Sequence, residues 1–493
     1  SLESIKISLK GTDDLNDIES LSVFVMGKDS LWKKEDQLQM FGKTRKLKLT
    51  MVISGKMKAL PSPCFFMVSV RLKDNAQLHH KIRCTCTRVK SVDQGFFCPS
   101  VLPGTSGQRI GVAVRKQGDD KVDTYRIPGL ATTRKGTLLA VYDVRRESSR
   151  DLQGHIDIGV SRSSDNGNTW EPMRIGLDRE EWGSLPEKFN GVSDACILVD
   201  ENTDRIYLAG LWMHGVLDVD GRWIEGLTTE SKEWNHQWRN RGSQPGYDVK
   251  QTSQFLVAVS DDDGKTWGKP VNLTGMCKKE EWWLWAPSPG HGITLHDGTL
   301  VFPTQGRNSK GETFSNLTYS KDGGVTWTTS IPAYTNTTEN MVVQLPDGSI
   351  MLNARYNLNR NNQSETNGRV VVTTGDLGLN WTEHPTSRSA LIESTCMASL
   401  HRHVYRENGR EKSILLFSNP NTKSGRHHMT IKVSLDDGLT WPEKYWLLLD
   451  EGNSRGYSCL TSIDENTIGI LYEGSLADLT FERIPLMEIM KNK

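Results

Sequence analysis

The sequence predicts an all-β protein, a six-bladed β-propeller preceded by an N-terminal β-sandwich. Three observations carry this expectation. An octet of the form S-x-D-x-G-x-T-W recurs five times after residue 160. Alternating apolar strands flank its copies. Residues 1–100 contain strands of the same kind but no octet.

The copies are SSDNGNTW (163–170), SDDDGKTW (260–267), SKDGGVTW (320–327), TGDLGLNW (374–381) and SLDDGLTW (434–441). Ser, Asp and Gly in this order favour a tight turn whose Asp bonds back to nearby amides. The Trp is placed to pack the hairpin onto its neighbour. Asp262, Asp322, Asp376 and Asp436 are 60, 54 and 60 residues apart. That length holds about four short strands, the content of one blade. Asp165 precedes Asp262 by 97 residues, so this interval is expected to hold an elaborated unit or one lacking its octet. Strands such as FLVAVS and TIKVS precede the copies, and GTLVFP and GSIMLNAR follow them. None of the octets has the ligand spacing and terminal Glu of an EF-hand loop. Because they recur from unit to unit, they read as structural.

The first segment shows strands such as KLKLTMVIS and CFFMVSVRL, separated by polar turns. The boundary is expected near SVLPGTSGQ (100–108), giving a sandwich over 1–103 and a propeller over 104–493. The sandwich is a candidate carbohydrate-binding module. It offers Trp32, His79, His80, Phe96 and Phe97, but no clear aromatic platform.

Lys+Arg and Asp+Glu both number 60, which argues against a nucleic-acid partner. An anionic small ligand then requires arginines that converge locally. No apolar run approaches the roughly 18–20 residues of a membrane helix. The chain opens SLESIKIS, without an initiator Met or a basic-then-apolar leader. It is therefore expected to be a processed or trimmed form of a secreted or periplasmic protein, its signal segment absent. Four of the eight cysteines (Cys64, Cys84, Cys86, Cys98) lie in the first segment, which raises a metal site with His79 or His80. Alternation puts Cys84 and Cys86 on one strand face, a poor fit to metal-ligand spacing, and buried thiols are the better reading.

The five octets, preceded by YRIPGL (125–130), resemble the bacterial exo-α-sialidase (neuraminidase) family with Asp-box repeats, of the Bacteroides type with an N-terminal β-sandwich. The resemblance covers about residues 105–490 and implies sialylated glycans as substrates. It implies no metal and no organic cofactor. Sialic acid carries a carboxylate on its anomeric carbon, and arginine supplies paired N–H groups that match it. The resemblance assigns this clamp to Arg126 in YRIP, Arg355 in MLNAR and Arg426 in KSGRHHMTI, with Glu473 in LYEGS bracing the first.

The same carboxylate disfavours an anionic nucleophile. At about 4 Å and an effective dielectric near 20 the repulsion is of order 4 kcal/mol. A tyrosine hydroxyl avoids it but needs a base. Sialidases are a tyrosine exception among retaining glycosidases. The resemblance places the nucleophile at Tyr457 in RGYSCL and its base at Glu339 in TTENMVV. Glu393 in LIESTCMASL competes as base but has no following N-A-R context. The general acid matches Asp151, six residues after Arg145 in DVRRESSRD, with Arg145 on a sugar hydroxyl at the pocket floor. Asp143 and Asp157 lie on strands and read as structural. Asp194 in GVSDAC matches a further pocket acid near the N-acetyl side.

An aromatic-rich stretch with Trp212, Trp223, Trp234 and Trp238, followed by EEWWLWAPSPGHG (280–292), either stacks on glycan or fills an oversized blade. Two rivals lie outside catalysis, a sialic-acid lectin and a scaffolding propeller. The lectin need not keep Tyr457, Glu339 and Asp151 together, and the scaffold has no need of three arginines. A third rival, a trans-sialidase, differs only in subsites beyond these residues.

Overall fold

Alternation along Leu2–Ser8 turns Leu2, Ile5 and Ile7 inward and leaves the residues between them partly exposed, the pattern of a sheet with one wet face. The computed structural model describes all residues except 29–37, 58–63, 93–94, 99–106, 152–153, 184–186, 188–189, 215–242, 250 and 492–493. Two compact units divide the chain, Ser1–Val112 and Ala113–Lys493. In the first, Leu2–Ser8 lies between Thr50–Met57 and Thr85–Ser91, and Gly95–Phe97 extends the sheet. Ile18–Gly27 lies between Gln39–Thr44 and Phe65–Leu72 in a second sheet. Ile5, Ile7, Leu21, Val23, Phe41 and Ile53 from both sheets share one core, which makes this unit a β-sandwich. All eight cysteines are free. Among the described residues no three or more His, Cys, Asp or Glu are grouped to hold a metal. His80 is hydrogen-bonded to the buried Asp17 at 2.7 Å.

The second unit is built of antiparallel groups. Thr124–Thr132, Leu138–Arg145, Ile156–Ser163 and Arg174–Leu177 form one. Asn190–Val199, Ile206–His214, Gln254–Ser260 and Val271–Asn272 form the next. The long interval between the first two octets is thus a single elaborated unit. Its extra chain falls between Ile206–His214 and Gln254–Ser260, where Trp223, Trp234 and Trp238 lie outside the described residues. Further groups are centred on Leu300–Arg307, on Ile350–Tyr356 and on Arg410–Pro420. The last contains Ser458–Asp464, Thr467–Tyr472 and Leu479–Pro485, and its fourth strand is Val112–Arg115 from the other end of the propeller sequence.

Strands of successive groups touch in sequence. Thr124–Thr132 contacts Asn190–Val199, which contacts Leu300–Arg307. Thr337–Gln344, Ser399–Glu407 and Ser458–Asp464 follow, and the last returns to Thr124–Thr132. The ring closes, with Val112–Arg115 joining the two ends of the propeller sequence, and radial repetition leaves only short outer edges. This is a propeller-type fold, almost entirely β. Among the described residues no helix is long and apolar enough to cross a membrane.

Each octet is a turn held by its own side chains. Asp165 accepts from Ser163 Oγ (2.8 Å), Thr169 N (2.9 Å) and Thr169 Oγ1 (2.6 Å). Asp262, Asp322, Asp376 and Asp436 repeat the arrangement. Gly167 has φ 84° and its Cα faces the Phe481 ring, so only glycine fits. Trp170 then meets Phe481 edge-on, at 5.2 Å between centroids. Trp212, Trp282 and Trp285 are buried core residues, Trp285 stacked on Phe255, so the described tryptophans of the aromatic stretch fill the blade.

Candidate active site

Three inner strands of the ring each carry a slip in register at a residue singled out from the sequence. One falls between Arg126 and Gly129, one between Ser193 and Cys196 around Asp194, and one between Thr337 and Asn340 around Glu339. A bulge re-aims a side chain that regular pleating would send elsewhere. At the first, Ile127 has φ 59°, a strained value for a β-branched residue. Its amide is held by Glu473 Oε1 at 3.1 Å.

Glu473 follows Thr467–Tyr472 and is fully buried. It accepts from Arg126 Nε (2.8 Å) and Nη2 (3.2 Å), and from Tyr457 N (2.9 Å). Burial alone would raise its pKa, but Arg126 and the two amides hold it below the usual carboxylate range. One carboxylate thus fixes the guanidinium of Arg126 and the backbone that presents Tyr457.

Tyr457 Oη donates to Glu339 Oε1, and Glu339 Oε2 accepts from Arg355 Nη1 at 2.7 Å. The guanidinium carbons of Arg126 and Arg426 lie 5.2 and 5.5 Å from the tyrosine ring centre. Burial pushes the Tyr457 pKa well above its usual value and Glu339 adds to this, against the pull of Arg355 and Arg426. The resting phenol is therefore neutral. Arg426 donates to the carbonyls of Arg455 (2.7 Å) and Thr395 (3.4 Å).

Arg126, Asp151, Asp194, Glu339, Arg355, Arg426 and Tyr457 line one cavity of about 450 Å³. Asp151 is 65 % exposed on the loop after Leu138–Arg145 and pairs with Arg145 Nη2 at 2.5 Å. Desolvation by the surrounding cavity walls works to raise its pKa, but Arg145 and Arg126 hold it below the ordinary value. Asp194 is the reverse case. Burial, then Asp143 and Glu339, push its pKa well above the usual carboxylate value.

Arg145 and Glu473 do not line the cavity. Arg145, expected on a sugar hydroxyl at the pocket floor, is completely buried, and its guanidinium bonds Asp143, Ser149 O and Asp151. Glu393 is buried against Arg369 (2.9 Å) and caps the amide of Tyr356 (2.7 Å), away from the cavity. Asp157 pairs with Arg146. Arg307, Thr313, Thr338, Asn357, Arg360 and Thr395 also line the cavity and were not singled out from the sequence. Thr338 adjoins Glu339, and Asn357 follows the strand that carries Arg355, so proximity to named residues was the available signal.

A family model described as BNR repeat-like domain matches residues 127–443, and one described as N-terminal domain of BNR-repeat neuraminidase matches residues 1–94. A sialidase of Bacteroides fragilis is 44% identical over 440 residues, which cover 89% of this chain and 76% of that protein. A Clostridium perfringens sialidase is 28% identical over 372 residues, covering 71% of this chain and 86% of its own. Among solved structures, a Hadza microbial sialidase superposes with a TM-score of 0.84 at 39% identity, covering 99% of this chain and 93% of that one. An intramolecular trans-sialidase from Ruminococcus gnavus matches with a TM-score of 0.60 over 77% of this chain and 98% of its own; at 20% identity it shows the fold alone. The chain belongs to the BNR-repeat sialidases (neuraminidases), a family of glycoside hydrolases.

Proposed function

We propose that this cavity removes terminal sialic acid from glycans by hydrolysis with retention of configuration. The observation that carries the reading is the Tyr457 hydroxyl on the Glu339 carboxylate, set between three arginines. Arg126, Arg355 and Arg426 clamp the substrate carboxylate. As Tyr457 Oη attacks the anomeric carbon, its proton passes to Glu339 Oε1, and Asp151 protonates the departing glycosidic oxygen. Water, deprotonated by Asp151, then attacks the same carbon. The tyrosine oxygen leaves and regains its proton from Glu339.

Arg145 and Arg126 keep Asp151 ionised at rest, so the acid must gain its proton on binding. The substrate carboxylate neutralises part of the field of Arg126 and Arg426 that opposes this gain. Asp194, protonated, offers a donor to the substrate's polar substituents.

A lectin needs only the clamp, whereas the base and nucleophile here are in hydrogen-bond contact. Transfer to another acceptor is the less favoured outcome, because the relative at 44% identity is named a sialidase, whereas the leech relative named an anhydrosialidase is 24% identical. We further read residues 1–103 as a glycan-tethering module, in which Phe96 is 61 % exposed with Arg88 at 4.6 Å. A secreted or periplasmic location suits such substrates. Proton NMR of α-linked sialyllactose turnover tests the reaction. The α-anomer of free sialic acid should appear first; first appearance of the β-anomer, or of a transfer product, would overturn the reading.

A further inference from the structure

We infer that Asp143 is a positioning residue for the general acid, acting through Arg145, which it holds in place beneath Asp151. This rests on Asp151 being that acid. Asp143 and Arg145 are two apart on Leu138–Arg145 and so point to the same face of the sheet. Both are completely buried. Asp143 Oδ2 accepts from Arg145 Nε (3.2 Å) and Nη2 (2.9 Å). The remaining donors reach into the acid loop, Nη1 to Ser149 O at 3.1 Å and Nη2 to Asp151 Oδ1 at 2.5 Å. Asp143 Oδ1 takes the amide of Asp194 at 3.0 Å, at the bulge where Asp194 has φ 58°. One buried carboxylate thus reaches two pocket groups from behind.

The asymmetry of this chain carries the argument. Its inner end is fully enclosed, whereas Asp151 at its outer end is 65 % exposed. A guanidinium fixed from below by two hydrogen bonds can give Asp151 one contact and leave its other oxygen available to the leaving group. Without Asp143, Arg145 is a buried cation whose nearest anion is Asp151. It would turn both forks onto that carboxylate, keep it ionised and draw it away from the leaving oxygen. Glu339 stands on Thr337–Gln344 and Tyr457 directly precedes Ser458–Asp464, and the hydrogen bond between them is not in this chain of contacts.

Loss of acid assistance has its own kinetic mark. General acid catalysis contributes about 10²–10⁴-fold when the leaving oxygen is a basic alkoxide, and little when it is a phenolate. The test compares kcat/KM for an aryl sialoside (4-methylumbelliferyl) and an alkyl sialoside (3′-sialyllactose) in the full chain. Asp143→Asn should raise the aryl-to-alkyl ratio by about tenfold or more. Arg145→Lys, which keeps the charge but loses the fork, should raise it too and carries the test if Asp143→Asn does not fold. Asp151→Ala is the control. Should Asp151→Ala raise the ratio while Asp143→Asn and Arg145→Lys reduce both substrates equally, Asp143 is merely structural and the inference fails. An unchanged ratio in Asp151→Ala would instead remove the acid assignment on which the inference stands.

Discussion

Glu473→Ala removes a carboxylate that is 2 % exposed and accepts four hydrogen bonds, two from Arg126 and one each from the amides of Ile127 and Tyr457. Breaking a buried ion pair by deleting one partner costs about 3–5 kcal/mol, since the remaining charge is left uncompensated. Each orphaned amide adds about 1 kcal/mol, not additively. Arg126 borders the cavity, so water can partly solvate it. A loss of about 3 kcal/mol is the net expectation, read as a fall in the urea midpoint at constant slope. Glu473→Gln keeps the shape and can still cap one amide, but it turns an N–H group toward the guanidinium. It should lose less stability while raising KM about tenfold or more, as Arg126 leaves its clamp orientation. The pKa of Glu473 is depressed in the fold, so its contribution is full above the unfolded value near 4.3 and is lost as pH falls through the folded value. The excess acid sensitivity of the parent over Glu473→Gln should therefore appear only below about pH 4.3. An unfolding free energy within about 0.5 kcal/mol of the parent, together with parental KM, would refute this account of Glu473.

Tyr457→Phe should remove most turnover while changing the affinity for free sialic acid by less than about fivefold, measured by calorimetry, because the clamp does not involve the phenol oxygen. Lys432 is buried between Phe417 and Trp446 with Asn419 as hydrogen-bond partner, and burial lowers its pKa to about 7. The unfolded chain binds its proton up to about pH 10.4, so parental stability should rise between pH 7 and 10 by up to about 4 kcal/mol from this group. Lys432→Met should flatten that rise and be the more stable protein at pH 7, as followed by urea titrations at several pH values. Gly167→Ala places a Cβ 2.0 Å from the Phe481 ring at φ 84°, and should lower the melting temperature with a cost of about 2 kcal/mol or more.

The octets were readable because their chemistry is local: Ser, Asp, Gly and Thr satisfy one another within a single turn, and no partner outside it is needed. The 16-residue spacing of Glu339 and Arg355 was readable for a related reason. Thr337–Gln344 and Ile350–Tyr356 form one hairpin, in which Thr337 faces Tyr356 and brings both side chains to the same end. The bulges were not readable. A one-residue slip leaves no mark in hydrophobic alternation, yet it decides where Arg126, Asp194 and Glu339 point. The surroundings of Arg145 were not readable either. Spacing puts it six residues before Asp151, but only the fold puts Asp143 beneath its guanidinium and closes it off from the cavity. The tryptophans show a different limit. Trp282 and Trp285 have the composition of a stacking platform, and only their neighbours Phe314 and Phe255 reveal core residues.

The central claim is that a neutral tyrosine, relieved of its proton by Glu339, captures the anomeric carbon. A covalent intermediate on Tyr457 follows from it. Incubation with 2,3-difluorosialic acid slows the release of any such adduct, because the added fluorine destabilises the positive charge of the second transition state. Intact mass spectrometry should then show one sialyl adduct per chain, and peptide mapping should place it on the peptide containing Tyr457. In Tyr457→Phe the adduct should be absent. Labelling of Glu339 or Asp151 instead, or an unlabelled parent that still turns over substrate with retention, would contradict the account.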